Sequence, residues 1–229
     1  MKAMLLAAGR GERLRPLTDR LPKALVEAGG KPLIAWHLER LAAAGCREAV
    51  VNVSHLADQI VERIGDGARF GLRIAYSREP EPLETAGGIA KALPLLGGGP
   101  FLLVNTDIYC ELDLGRLQSL PLCGKLGHLV LVPNPAHRPS GDFALDGASL
   151  LGKAASASLP RYTYAGIAVL SPQLVAGVAV GEKAPLAPLL YAAADRGLMS
   201  AELYAGRWQD VGTHARLAEL QAWLGATTG

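Results

Sequence analysis

Through the first hundred residues the apolar positions alternate between short unbroken runs and helical stripes. Lys2–Leu6 is a short apolar run that enters a glycine-bearing loop, and Pro32–Ala44 then carries Leu33, Ile34, Leu38 and Leu41 at helical spacing up to Gly45. The pattern predicts a strand, a loop and a helix. Glu48–Val53 is a β-branched run, Leu56–Ile64 is amphipathic, Leu72–Tyr76 is strand-like, Thr85–Leu95 is helical through Ile89, Ala90 and Leu93, and Phe101–Val104 is again an apolar run. Repeated strand–helix units of this kind require a parallel sheet with right-handed crossovers and helices on both faces.

After about Asp113 the rhythm loosens. His128–Val132, Asp142–Leu145 and Tyr162–Leu170 read as strands between Pro- and Gly-rich connections, so the sheet is expected to gain mixed strands. Leu186–Asp195 predicts a helix, Leu198–Tyr204 with Gly206–Asp210 a hairpin, and Thr213–Leu224 a helix capped by Thr213. The expected architecture is α/β, a Rossmann-like three-layer sandwich around a mixed, mainly parallel central sheet. Neither a repeat nor a composition shift divides the chain, so residues 1–229 are expected to form a single domain.

Composition narrows the function classes. The chain has 229 residues, half of them hydrophobic, which excludes a disordered or collagen-like protein. With 23 Lys+Arg against 21 Asp+Glu and no basic block, nothing points to nucleic acid as a partner. The apolar run Met4–Ala8 ends at Gly9 and Arg10, far short of a bilayer span and followed by no signal-peptide cleavage pattern, so no membrane partner is expected and the cytoplasm is the expected location. Cys46, Cys110 and Cys123 lack the paired spacing of a zinc site or a disulfide framework.

The densest candidate chemistry is Leu6-Ala7-Ala8-Gly9-Arg10-Gly11-Glu12-Arg13-Leu14-Arg15-Pro16-Leu17-Thr18, followed by Leu21-Pro22-Lys23. A glycine-rich turn at the carboxyl end of the first strand is where open α/β sheets bind ligands. Gly9 and Gly11 let backbone N–H groups approach phosphate oxygens, and Arg13 and Lys23 add positive charge, a combination suited to a triphosphate. The spacing is not a Walker A loop, and Leu14 replaces the third glycine of a dinucleotide fingerprint.

Ala8-Gly9-x-Gly11-x-Arg13-x-x-Pro16-Leu17-Thr18 with Pro22-Lys23 resembles the signature of the sugar-1-phosphate nucleotidylyltransferases. Leu83-Glu84-Thr85-Ala86-Gly87-Gly88, Val104-Asn105-Thr106-Asp107 and Trp208-Gln209-Asp210-Val211-Gly212-Thr213 follow in that family's order. The resemblance implies the nucleotide-diphospho-sugar transferase type of fold. It also implies transfer of a nucleoside monophosphate from an NTP to a sugar 1-phosphate, with release of pyrophosphate. Asp107 and Asp210 would hold Mg2+, and Arg13, Lys23 and Asp107 would act on the reacting phosphates. The nucleotide would lie on Ala7, Ala8, Gly9, Gly11, Arg13, Glu84, Thr85, Gly87 and Gly88, and the sugar on Asn105, Gly141, Asp142 and Gly166, the last in the stretch Tyr164-Ala165-Gly166-Ile167. The short chain, the Glu84-Thr85-Ala86-Gly87-Gly88-Ile89 box and Gly141-Asp142-Phe143 are most similar to bacterial uridylyltransferases of cell-wall recycling. Those enzymes would use UTP and N-acetylmuramic acid 1-phosphate, and the expected unit is a monomer.

Two positions depart from the family pattern. Thr106 stands where many members have glycine, and it is expected to crowd the sugar or shift Asp107. The Glu-Lys-Pro segment that supplies a second phosphate lysine in larger members is missing before Tyr162–Leu170; Glu182-Lys183-Ala184-Pro185 comes after that run and does not match in order. The uracil and guanine imino groups suit Glu84 equally, so mannose-1-phosphate guanylyl transfer remains a second reading. A non-catalytic nucleotide-sugar sensor is a third, opposed by retention of Arg13, Lys23, Asp107 and Asp210.

Overall fold

The computed structural model describes residues 1–152 and 159–227. In chain order, β1 (Ala3–Leu6) leads through the glycine loop to the short pair β2 (Glu27–Ala28) and β3 (Lys31–Pro32), then to α1 (Leu33–Ala43), β4 (Glu48–Val53), α2 (Ala57–Ile64), β5 (Arg73–Arg78) and α3 (Glu84–Leu96). There follow β6 (Phe101–Asn105), β7 (Ile108–Cys110), α4 (Leu114–Gln118), β8 (Gly127–Val132), β9 (Phe143–Asp146), β10 (Ser149–Leu151) and β11 (Arg161–Leu170). The last elements are α5 (Leu186–Asp195), β12 (Met199–Leu203), β13 (Trp208–Asp210) and α6 (His214–Thr227).

Nine strands form one sheet in the order β5-β4-β1-β6-β11-β8-β12-β10-β9. The β5-β4-β1-β6 half is parallel throughout, as the strand–helix alternation requires. β11 enters antiparallel between β6 and β8, β12 runs parallel to β8, and β10 runs against both of its neighbours. The sheet is therefore mixed, with only β11 and β10 opposed to the majority direction.

The two-residue period of the strands divides the interior into two layers. Ala3 and Leu5 of β1, with Leu102 and Val104 of β6, pack on Ile34, Leu38 and Leu41 of α1 and Ile60 and Ile64 of α2. Met4, Phe101 and Leu103 point the other way, onto Ala86, Ile89 and Leu96 of α3 and Leu186 and Leu190 of α5. These strands are apolar at successive positions because both faces are covered by helices. A third cluster, with Val26, Leu33, Tyr109, Val211, Leu220 and Leu224, seats α6 against the β2–β3 pair and the β7–β13 ribbon.

One expected element is corrected. Residues 198–210 do not form a hairpin: β12 joins the main sheet beside β8, whereas β13 pairs antiparallel with β7. The buried run of β8 needs a partner on its open side, which β12 supplies. The Trp208 indole N–H donates to the Ala165 carbonyl at 2.8 Å and draws the next strand away. The Thr213 cap of α6 is present, with its hydroxyl accepting from Arg216 N at 3.4 Å.

Candidate active site

The site lies at the carboxyl ends of adjacent strands, since β1 and β6 are paired with Leu6 opposite Asn105. The glycine loop leaves β1, and Asp107 follows β6. Gly11 adopts φ +66°, and a Cβ there would lie 2.9 Å from Thr18 Cγ2 and 3.1 Å from Lys23 Cβ. This is a conformation and a spacing that only glycine meets without strain. Its carbonyl accepts from the Thr18 hydroxyl at 2.8 Å and from Leu14 N at 2.8 Å, which curls the loop back on itself. The N–H groups of Gly9, Arg10 and Gly11 donate to nothing within the chain among the described residues, leaving consecutive donors for an anion.

The curl delivers Lys23 to Asp107. Lys23 Nζ lies 2.6 Å from Asp107 Oδ2, and the lysine side chain is 12% exposed against 36% for the aspartate. These residues share a cleft of about 750 Å3 with Gly9, Arg10, Arg13, Glu84, Lys183 and Gly212. A recess of about 200 Å3 continues inward past Ala7, Ala8, Thr85, Asn105 and Thr106. Arg13 makes no ion pair among the described residues, and its guanidinium lies 3.1–3.2 Å from where a Gly212 Cβ would stand.

A buried polar chain that the sequence reading missed ties the loop to α3. Asn52 Oδ1 accepts from Ala7 N at 2.9 Å, its amide donates to Glu79 Oε1 at 2.7 Å, and Glu79 Oε2 accepts from Leu83 N at 2.9 Å. Asn52 and Glu79 lie at the ends of β4 and β5, whose parallel register places them next to the recess. Gly88 has no side chain because a Cβ would stand 2.7 Å from Glu79 Oε1, and Gly87 because one would stand 2.1 Å from the Glu182 carbonyl. Packing within the chain thus accounts for a glycine at both positions. Glu84 and Thr85 do line the cavity, with Glu84 held at φ +57°.

Thr106 lines the recess and is also a fastening between strands. Its side chain is buried, and its hydroxyl donates to the Leu6 carbonyl at 2.6 Å, fastening β6 to β1 at the level of Asp107. Asn105 lines the recess, and its side-chain amide makes no hydrogen bond within the chain among the described residues. Gly166 sits in the β11 irregularity at φ +79°, where a Cβ would be 3.0 Å from the Asn105 side chain. Gly141, at φ +60°, faces Asn134 and the Tyr162 backbone in the same way. Asp142 is engaged internally: Oδ2 accepts from Tyr164 N at 2.9 Å and from Arg138 at 3.1 Å.

Asp210 stands beside Asp107 along the ribbon, because Val211 N donates to the Asp107 carbonyl at 2.7 Å. Its carboxylate turns toward Arg216, 3.2 Å from Oδ2, and toward His137, 3.2 Å from Oδ1 but out of hydrogen-bond alignment. Asp210 Oδ1 and two guanidinium nitrogens of Arg216 are buried without hydrogen-bond partners. Asp107 Oδ1 likewise accepts nothing within the chain among the described residues. Asp107 lines the cleft, whereas Asp210 lines a neighbouring cavity with His137, Arg207 and Arg216; carboxylates are the ligand type a hard divalent cation takes, completing its shell with phosphate and water. No group of three or more His, Cys, Asp or Glu gathers as a closed metal cage among the described residues. Under the ribbon, His37 Nε2 donates to the Ile108 carbonyl at 2.8 Å, and burial pushes its pKa down to about 4.

Residues 2–120 match the family described as Nucleotidyl transferase. The chain is 48% identical to the N-acetylmuramate alpha-1-phosphate uridylyltransferase of Neisseria meningitidis serogroup B, covering 99% of each chain. It is 34% identical to the protein of that name from Caulobacter vibrioides, over 95% of this chain and 97% of that one. Similarity to the mannose-1-phosphate guanylyltransferase catalytic subunit beta of Drosophila melanogaster is 39% over 57% of this chain, which spans 36% of that protein. A solved Bacillus anthracis structure named for glucose-1-phosphate thymidylyl transfer superposes with a TM-score of 0.86 at 18% identity, covering 98% of this chain and 95% of that one. That structure carries the fold alone.

Proposed function

The chain belongs to the nucleotidyl transferase family, and we propose that its cleft transfers a uridylyl group from UTP to N-acetylmuramic acid 1-phosphate. The products are the UDP-sugar and pyrophosphate. The observation that carries this reading is the Lys23–Asp107 pair at 2.6 Å, set among the free amides of Gly9–Gly11 at the carboxyl ends of β1 and β6.

A phosphate oxygen of the sugar phosphate attacks the α-phosphorus in line, a new P–O bond forms, and the bond to the β-phosphate oxygen breaks. The attacking oxygen is already ionised near neutral pH, so alignment and charge screening are what the protein must supply. Lys23 meets the α-phosphate. Arg13 and the Gly9 and Gly11 amides hold the departing pyrophosphate, and Ala7, Ala8, Glu84 and Thr85 line the way to the base. Asn105 offers its amide to the sugar beside Gly166, while Gly141 and Asp142 shape the start of β11 on the sugar side. Asp107 and Asp210 would hold magnesium, which when bound supplies charge screening of the phosphate oxygens.

The choice of uridylyl and muramyl substrates rests on the relatives matched along nearly the whole chain. Guanylyl transfer to mannose 1-phosphate is the second reading, supported by relatives matched over 57% of the chain. Among the described residues no helix is long and apolar enough to cross a membrane. We place the reaction in the cytoplasm, with residues 1–229 as one domain and one chain as the unit. The test is pyrophosphate release with magnesium, crossing four nucleoside triphosphates with N-acetylmuramate, N-acetylglucosamine, glucose and mannose 1-phosphates, with Asp107→Ala as control. Release confined to UTP with N-acetylmuramate 1-phosphate and lost in the control is expected. Release with GTP and mannose 1-phosphate would establish the second reading, and silence with retained nucleotide binding would favour a sensor.

A further inference from the structure

Glu182-Lys183-Ala184-Pro185 lies far along the chain from the glycine loop, yet it is fastened to the nucleotide end of α3. The Ala184 carbonyl accepts from Ala86 N at 2.9 Å and Gly87 N at 3.1 Å, and Ala184 N donates to the Leu83 carbonyl at 3.0 Å. The close approach of the Glu182 carbonyl to Gly87 completes the junction. Two helix N-terminal amides are thereby filled by a carbonyl from within the chain and withdrawn from anion binding. The same segment puts a cation in their place, because Lys183 becomes part of the wall that carries Gly9, Arg10, Gly11, Arg13 and Lys23.

The Lys183 ammonium is not committed elsewhere. Its nearest charge is Glu84 Oε1 at 4.0 Å, beyond hydrogen-bond range, and its side chain is 67% exposed. A pair this open holds the lysine weakly, and the four-carbon stem lets the ammonium swing. Lys183 lines the outer cleft with Arg10 and Arg13, whereas the inner recess is lined by Thr85, Asn105 and Thr106 without it. On the triphosphate reading, a nucleotide whose base enters that recess would bring its terminal phosphates to the cleft that Lys183 lines.

We propose that Lys183 is a phosphate-binding residue that contacts the β- and γ-phosphates of the nucleotide from the segment docked on α3, and holds pyrophosphate as it leaves. The proposal rests on the triphosphate reading of the cleft given above. It assigns a role to a lysine whose position in the chain gave no reason to place it at the site.

Calorimetric titration of the full chain with magnesium pyrophosphate, UTP and UMP tests it, comparing wild type with Lys183→Ala and Lys183→Arg. Lys183→Ala is expected to weaken pyrophosphate and UTP binding about tenfold, the scale of one charged contact, and to leave UMP binding unchanged. Lys183→Arg is expected to recover most of the loss. The same loss should persist in a Glu84→Gln background. Recovery there would show that unmasked Glu84 charge was responsible and would overturn the proposal. Unchanged pyrophosphate affinity in Lys183→Ala, or an equal loss for UMP, would also overturn it while leaving transferase activity standing. A wild-type protein that binds neither UTP nor pyrophosphate would overturn the transferase reading and this inference with it.

Discussion

Lys23 Nζ and Asp107 Oδ2 meet at 2.6 Å although the two residues are 84 positions apart, so the lysine proposed for the phosphates and the carboxylate proposed for the metal form one ion pair in the fold. Each member holds the other in place. Lys23→Ala and Asp107→Ala are each expected to lower turnover roughly a hundredfold, the scale of removing one charge-stabilising group. Because the two act as a unit, the double variant should lose less than the product of the single losses. Steady-state pyrophosphate release from the folded variants checks both, and near-normal turnover in either single variant would remove that residue from the mechanism.

Asn52 joins the glycine loop to α3 through buried hydrogen bonds to Ala7 and Glu79. Asn52→Ala strands the Ala7 N–H and one Glu79 oxygen, a loss of about 2–3 kcal/mol. A lower urea midpoint together with weaker nucleotide binding is the expected pairing of effects. An undisturbed midpoint would mean that water replaces the amide at no cost.

Gly166 gives way to Asn105, and its φ of +79° disfavours any side chain. Gly166→Ala is expected to cost roughly 1–3 kcal/mol in strain and to push Asn105 out of the recess. The kinetic signature should be a raised KM for the sugar phosphate with little change in KM for the nucleotide. Equal rises in both would place Asn105 on the nucleotide.

His37 is neutral in the fold because burial pushes its pKa down to about 4, against about 6.5 in an unfolded chain. The unfolded state takes up the proton first, so the stabilisation is complete above about pH 6.5 and is lost as pH falls toward 4. Between pH 7 and 5 the loss amounts to about 2 kcal/mol. Urea unfolding at the two pH values should show it, and His37→Gln should flatten the difference. A slope unaltered by that substitution would assign the acid sensitivity to other groups.

The elements that the sequence located best are those buried on both faces or banded on one. Leu186–Asp195 and Glu48–Val53 have the bounds that their patterns predict, because burial leaves a local periodic trace. β7 and β13 escaped correct reading because each is three residues long. A strand that short carries too few alternations to show which partner it will take. The Arg13, Lys23 and Asp107 assignments came from motif spacing, and the structure gathers all three on one cleft. Asp210 was named by the same route, but it lines a neighbouring cavity, and its ion pairs with Arg216 and His137 were not visible, since neither neighbour belongs to a recognisable pattern.

By itself, then, the sequence determined the layered α/β architecture, the glycine turn after the first strand and the charged residues that line its cleft, because those properties are written in local spacing and side-chain type. Tertiary structure alone decided that Thr106 fastens β6 to β1, that Gly87 and Gly88 make room for Glu182 and Glu79, and that Lys183 lines the same cleft as the glycine loop. Each of these depends on which distant segments come into contact. That choice is made by the packing of the whole sheet and its helices, and no local pattern records it.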